Sequence, residues 1–216
     1  MRIFLILFLI FFGNLSNAVA ANLPETQSPE VKLQTVISDL QQEINANQSK
    51  LNQDPSLLNQ MVTEHLLPII YVNKMAAMTL GPKWRTATAV DQNEFIKQFS
   101  LLLTRTYSTA LLKMGDYKIT VFPLRGDSWK TADYVAISGQ LAPAGGGSAS
   151  SVTYYMEKDN GVWKIYDFAL EGVSFVKNFR SQFEQYSDIK TLLTRLDTMN
   201  HQANQRQNSA SASASS

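Results

Sequence analysis

The chain has 216 residues, with 19 lysines and arginines against 18 aspartates and glutamates, and no cysteine. That balance gives no basic excess for nucleic acid and no polybasic patch for an anionic membrane surface. Without cysteine there are neither disulfide staples nor thiolate nucleophiles, so stability has to come from packing.

The amino terminus sets the expected compartment. Arg2 precedes an unbroken apolar run from Ile3 to Phe12, Gly13 and Asn14 interrupt it, and Ala18-Val19-Ala20 offers a small-residue cleavage site. This is the layout of a secretory signal peptide, predicted over residues 1–20. The apolar run is about half of the ~20 residues a membrane span needs. No other stretch is apolar enough to span, so a soluble, exported mature protein is expected. About 196 residues would then remain, enough for one core burying roughly 70% of the unfolded chain's surface. Export without cysteine suits a bacterial periplasm. The expected organisation is a polar leader at 21–27, one α+β domain at 28–200, and a disordered Gln/Asn/Ser/Ala tail at 201–216.

Ser28-Pro29 opens the first helix, whose apolar face is Leu33, Ile37, Leu40 and Ile44. Asn45 to Gln53 reads as a polar break. Asp54-Pro55 starts a second helix that Pro68 ends or kinks. A short apolar segment, Ile69 to Leu80, is closed by Gly81-Pro82. The longest helix, capped by Thr88 or Asp91, runs to Met114 with Gly115 as its stop. Its stripe of Phe95, Phe99, Leu102, Leu103, Tyr107, Ala110, Leu111 and Met114 is broader than a surface helix usually needs.

From Asp116 the period switches to two. Tyr117, Ile119 and Val121 form one alternating set; Val135, Ile137 and Leu141 a second; Val152, Tyr154 and Met156 a third. Asp159-Asn160-Gly161 is a hairpin turn leading into Val162 to Leu170. In that strand Val162, Tyr166, Phe168 and Leu170 are expected on one face and Trp163, Ile165 and Ala169 on the other. The result is a four-stranded antiparallel meander with a flexible loop at Pro143 to Ser151. Ser174 caps a further helix carrying Phe175, Val176, Phe179 and Phe183. A last helix surrounds Leu192, Leu193 and Leu196. The predicted class is α+β, helices packed on the sheet.

Catalytic inventories fail one by one. The two histidines, His65 and His201, have no zinc-ligand spacing, and no G-x-S-x-G elbow exists. No metal site and no cofactor are expected. Asp133, Asp167 and Glu171, on or just after strands, are the sharpest enzyme candidates, since a carboxylate in an apolar cavity can act as a base. The positive signal is an excess of apolar surface, which lines a cavity or simply fills a core. An adaptor protein with a filled interior is the remaining alternative.

The middle of the chain resembles the MlaC, or toluene-tolerance, family. The resemblance is carried by Leu66-Leu67-Pro68-Ile69-Ile70-Tyr71-Val72-Asn73, Leu80-Gly81-Pro82-Lys83-Trp84-Arg85, Phe95-Ile96-Lys97-Gln98-Phe99, Asp159-Asn160-Gly161-Val162-Trp163-Lys164-Ile165-Tyr166-Asp167 and Asn178-Phe179-Arg180-Ser181-Gln182-Phe183, in order over about residues 30–197. Asn73, where the family often has Asp, and the uncharged Thr153-Tyr154-Tyr155 depart from it.

The resemblance implies a periplasmic carrier of glycerophospholipid, with acyl tails in a cavity between helices and sheet. It also implies an inner-membrane ABC transporter complex and an outer-membrane lipoprotein complex as partners, and maintenance of outer-membrane lipid asymmetry. Exposing a tail of ~15 methylenes to water costs on the order of 12 kcal/mol, so a carrier needs an apolar pocket more than polar contacts. The expected lining is Val72, Met75, Met78, Phe99, Leu103, Tyr107, Val121, Val135, Ile137, Tyr154, Met156, Tyr166, Phe168 and Val173. Lys83 and Arg180 are either ordinary solvated charges or lie near its mouth or a docking surface.

Overall fold

The computed structural model describes residues 27–53 and 56–214, and their side chains except at 52–53, 56, 58–59, 104–111 and 203–214. The proposed signal peptide lies outside the described residues. Seven helices pack with a five-stranded antiparallel sheet among them.

Helix α1 (Pro29–Gln53) has Pro29 at its first position and is longer than its sequence suggests. Residues 45–53, expected as a break, form its last turns. Ile44 and Leu51, seven residues apart, are both fully buried, and that burial outweighs the weak helix propensity of the intervening asparagines. Helix α2 (Ser56–Met61) passes through a π turn (Val62–Leu66) into a 3₁₀ turn (Leu67–Ile69) that accommodates Pro68. Ile70 then leaves the helical path to form a parallel bridge with Ile165, and Tyr71 N–H donates to Ile165 O at 2.8 Å.

Helix α3 (Val72–Leu80) ends at Gly81, whose φ of 58° suits glycine, and Pro82 begins α4 (Pro82–Thr86). Thr88 caps α5 (Ala89–Leu112), its Oγ1 accepting from Asp91 N–H at 3.1 Å. At its end α5 tightens into a 3₁₀ turn (Lys113–Asp116), so Gly115 sits inside a turn instead of stopping the helix.

The sheet runs in the order β1 (Tyr117–Val121), β2 (Tyr134–Pro143), β3 (Ser150–Asp159), β4 (Val162–Leu170), β5 (Val173–Ser174). Asn160 and Gly161 both take positive φ, 51° and 83°, as a two-residue hairpin turn requires. The fifth strand was not expected. Glu171 and Gly172 repeat the same left-handed pair (49° and 78°), turning two residues back onto the edge of β4. Ser174 therefore ends β5 and also caps α6 (Phe175–Glu184), accepting from Lys177 N–H at 3.1 Å.

Asp188 caps α7 (Ile189–Ala214), and the Thr191 N–H it accepts holds its carboxyl below the usual range. Residues 201–214, expected to be disordered, continue α7. Leu192 and Leu196 are anchored in the core, and each further turn adds one hydrogen bond per residue at no new nucleation cost.

Strand register corrects one expectation about faces. Tyr154 pairs with Phe168, yet Met156 pairs with Ile165, so a bulge leaves Tyr166 unpaired. The extra residue re-phases β4. Trp163 and Ile165 consequently share the face of Tyr154, Met156 and Phe168, along with Val135 and Ile137 of β2. This inner face meets Leu33 and Ile37 of α1.

Gly139 sits on the same face with no room for a side chain, because a Cβ there would lie 2.5 Å from Thr120 O. Gly139→Ala is expected to destabilise the protein by about 1–3 kcal/mol through strain between β1 and β2, read as a lowered urea midpoint with an unchanged m-value.

Candidate functional site

Apolar residues of the interior gather in three clusters among the described residues. The first joins α3, α5, α6 and α7 around Phe95, Phe99, Phe179 and Phe183. Phe95 and Phe99 stack with centroids 5.3 Å apart, and Phe179 meets Phe99 edge-on at 5.3 Å. The second lies between α1 and the sheet: Leu33, Ile37, Ile69, Ile137, Met156, Trp163 and Ile165. The third fastens α1 to the segment after it, through Leu40, Ile44, Leu51, Met61 and Val62.

These clusters leave a seam. Helix α1 lies along β1 and α6 along β4, while α5 packs on α7 and α3. Between these supports the inner face keeps a run of apolar side chains that are only half-buried: Ile119, Val121, Val135, Leu141, Tyr154 and Phe168, with Leu170 exposed. Along β2 the inner-face row from Leu141 through Gly139 and Ile137 to Val135 spans about 20 Å. Tyr154 sits within it, and burial pushes its phenol pKa up to about 12.

The row opens at one end into a recess of about 450 Å³. Met114, Tyr117, Ile119, Leu141, Pro143 and Leu170 line it, with Lys113, Ser148 and Ser150 at its polar margin. A recess of about 590 Å³ lies by the β5–α6 junction, bounded by Gly172, Val173, Ser174, Lys177, Asn178, Ser181 and Gln182. It is wide open and bounded mainly by polar residues, a poor match for an acyl chain despite its size.

The lining expected from sequence divides among these places. Val121, Val135, Ile137, Tyr154 and Met156 belong to the sheet cluster, and Ile137 and Met156 are fully buried there. Met75, Met78, Phe99, Leu103 and Phe168 belong to or pack on the helical cluster, and Phe168 stacks on Phe175 at 4.7 Å. Val72 is half-buried in the first turn of α3. Tyr107 lies in α5, with its side chain outside the described residues.

Two placements differ from expectation. Val173 is 62% exposed in the open recess, because the tight turn at Glu171-Gly172 carries it to the sheet edge. Tyr166, displaced by the bulge, meets Tyr134 and Tyr155 on the opposite face at centroid distances of 6.4 and 6.3 Å. Lys74 lies over the rings of Tyr134 and Tyr166 at 4.6 and 4.5 Å and pairs with Glu157, so this group ties α3 to the outer face.

Sequence reasoning missed Leu170 and the margin residue Lys113. Leu170 was recognisable as the apolar end of a strand, but only the third dimension shows that it lines one recess with Met114 and Tyr117.

The carboxylates and other charged candidates have structural partners or lie exposed. Asp167 is buried and ties β4 to α6. Its Oδ1 accepts from Phe168 N–H at 2.8 Å and Val176 N–H at 3.0 Å, and Ser174 Oγ donates to Oδ2 at 2.5 Å. Glu171 is exposed and accepts from Ser151 N–H, and Asp133 is exposed. The three do not converge. His65 pairs with Glu43 at 2.8 Å, and Lys83 donates to Phe183 O at the end of α6 at 3.4 Å. Arg180 lies against Gly81 and pairs with Glu184 at 3.3 Å. Among the described residues no helix is long and apolar enough to cross a membrane, and no cluster of three or more potential metal ligands occurs.

An apolar seam between helices and an open sheet defines a class of α+β proteins that can shelter a long hydrophobic ligand. The sequence profile of the MlaC protein family matches residues 34–200, and the chain belongs to that family. It is 29% identical over 177 residues to the intermembrane phospholipid transport system binding protein MlaC of Haemophilus influenzae, covering 78% of this chain and 80% of the relative. It is 26% identical over 158 residues to the toluene tolerance protein ttg2D of Pseudomonas putida, covering 73% and 72%. In fold it is similar to the phospholipid-binding protein from Ralstonia solanacearum, solved in complex with a phospholipid. The TM-score is 0.73 at 20% identity, covering 82% of this chain and 98% of the other.

The raised Tyr154 pKa gives a titration test. A phenol whose folded pKa exceeds its unfolded value contributes stability that is complete below the unfolded pKa near 10 and lost as pH rises through about 12. In a near-ultraviolet titration of the folded protein, phenolate absorbance should include a step near pH 12. Tyr154→Phe should remove that step and flatten the fall in stability above pH 10.

Proposed function

We propose that the protein is a carrier of glycerophospholipid in the periplasm and catalyses no reaction. The observation that carries this reading is the set of half-buried apolar side chains on the inner face (Ile119, Val121, Val135, Leu141, Tyr154 and Phe168), open at one end, in a chain of the MlaC family. Half-buried apolar side chains gain free energy at about 25 cal/mol per Å² when a second apolar surface covers them. An acyl chain laid along the row supplies that surface and loses its own contact with water.

The relatives support the choice of ligand. One is named for intermembrane phospholipid transport, and a fold neighbour was solved with a phospholipid bound. On this reading the tails lie on Ile119, Val121, Leu141 and Tyr154, with Val135 and Phe168 deeper, and the head group stays at the opening. Lipid is handed between an outer-membrane lipoprotein complex and an inner-membrane ABC transporter complex. An amino-terminal signal peptide at residues 1–20 delivers the chain to that compartment. The engagement of Asp167 as a cap, and the exposure of Asp133 and Glu171, leave the seam without a charged base.

Native mass spectrometry of the mature protein purified from a Gram-negative host should show bound phospholipid, and lipid-stripped protein should reload from liposomes. Consistent recovery without lipid in both states would sink the proposal. Leu141→Asp, on the open row, should lower occupancy several-fold with a native circular dichroism spectrum. Phe99→Asp should instead unfold the helical cluster, because it leaves an unpaired charge among stacked rings.

A further inference from the structure

We infer that the recess at the open end of the seam binds the lipid's phosphate, with Lys113 as the counter-charge. The inference rests on the carrier reading above and specifies the head-group chemistry that reading leaves open.

The sheet's inner row from Ile119 and Leu141 down to Val135 and Met156 carries no charged side chain. An anion attached to tails lying on that row finds a cation only where the row ends. The recess there has one charged side chain, Lys113, beside an apolar floor and the serines at 148 and 150. Among the described residues no carboxylate pairs with Lys113, in contrast to Lys74 and Lys164. Lys74 pairs with Glu157 and Lys164 with Asp159, while Lys158 donates to Trp129 O and Lys130 O. Lys118, its neighbour on β1, alternates onto the other face.

The margin that bears Lys113 is also held in place. Gln41 of α1 donates from Nε2 to Met114 O at 2.9 Å and to Tyr117 O at 2.7 Å, and Ala144 N–H donates to Asp116 O at 2.8 Å. The 3₁₀ turn is therefore pinned on both sides, and its lysine projects from a fixed point. A lysine at the end of a helix also interacts favourably with the helix dipole. That role alone predicts an effect on stability and none on the choice of lipid.

The test is a loading competition on lipid-stripped mature protein. Vesicles carry either phosphatidylglycerol or diacylglycerol with the same tails, and occupancy is read by native mass spectrometry. Wild type should favour phosphatidylglycerol, and Lys113→Ala should cut that preference roughly threefold to fivefold, as expected for one solvent-exposed ion pair. Lys113→Glu should abolish it, Lys113→Arg should keep it, and raised salt should weaken it in wild type and Lys113→Arg but not further in Lys113→Ala. Diacylglycerol loading should be equal in all four proteins.

An unchanged preference in Lys113→Ala and Lys113→Glu overturns the assignment, even if melting temperatures shift. Excess inorganic phosphate should leave phosphatidylglycerol in place; displacement by it would mark the recess as a free-anion site and overturn the head-group role. Wild type that loads neither lipid removes the carrier reading, and this inference with it.

Discussion

An open sheet buries its apolar face only as far as other elements cover it, and here the supports stand at the margins. Helix α1 lies along β1, where Gln34 Oε1 accepts from Val121 N–H at 2.9 Å and Gln41 Nε2 reaches Tyr117 O. Those two side chains, seven residues apart on α1, satisfy edge groups of β1 that would otherwise pair with another chain. At the other margin Asp167 joins β4 to the start of α6 through two hydrogen bonds, from Ser174 Oγ and Val176 N–H. With both margins fastened, α1 covers Ile137 and Met156 of the middle strands, while Val135, Leu141 and Tyr154 on the same face remain only partly covered. The seam is the consequence.

Stability and ligand space are thereby assigned to different parts of the chain. The aromatic packing of Phe95, Phe99, Phe179 and Phe183 ties α5 to α6, and Leu192 and Leu196 of α7 complete that cluster. Gln98 and Asn200, both buried, link α5 to α7 by a 2.6 Å hydrogen bond. These contacts involve no seam residue of β1 or β2. A region that must admit and release an apolar ligand cannot also be the best-packed part of the molecule, since dense interiors do not yield a tail-sized space without loss of contacts.

Local signals were legible wherever the physics is local. Pro29, Thr88 and Ser174 mark helix starts, Asn160-Gly161 marks a turn, and each acts through its own backbone neighbours. The helical stripe of α5 and the alternation of the strands gave the class of fold. Legibility failed where a distant partner decides the outcome. Leu51 is buried by a third cluster that no local pattern announces, so the polar residues before it looked like a break. The bulge at Tyr166 is invisible to a strict period of two, and one extra residue sent Tyr166 outward while aligning Ile165 with Phe168. Lys113 carries no mark in the sequence, because nothing in its neighbours there places Leu141 and Leu170 at the same recess.

The bulge explains where the β4 residues of the expected lining lie. Had β4 kept a strict alternation, Tyr166 and Phe168 would share a face, and Ile165 would turn away from Met156. The rings of Tyr134 and Tyr166 would then be separated, and Lys74 would lose one of the two faces it covers. Displacing Tyr166 outward gives α3 an anchor on the outer surface while its own Met75 and Ala76 enter the helical cluster. The same residue insertion carries Ile165 inward, where the bridge to Ile70 brings the chain just before α3 onto β4. A single unpaired position thus fixes α3 from both sides of the sheet. With α3 so held, α5 packs on it and on α7.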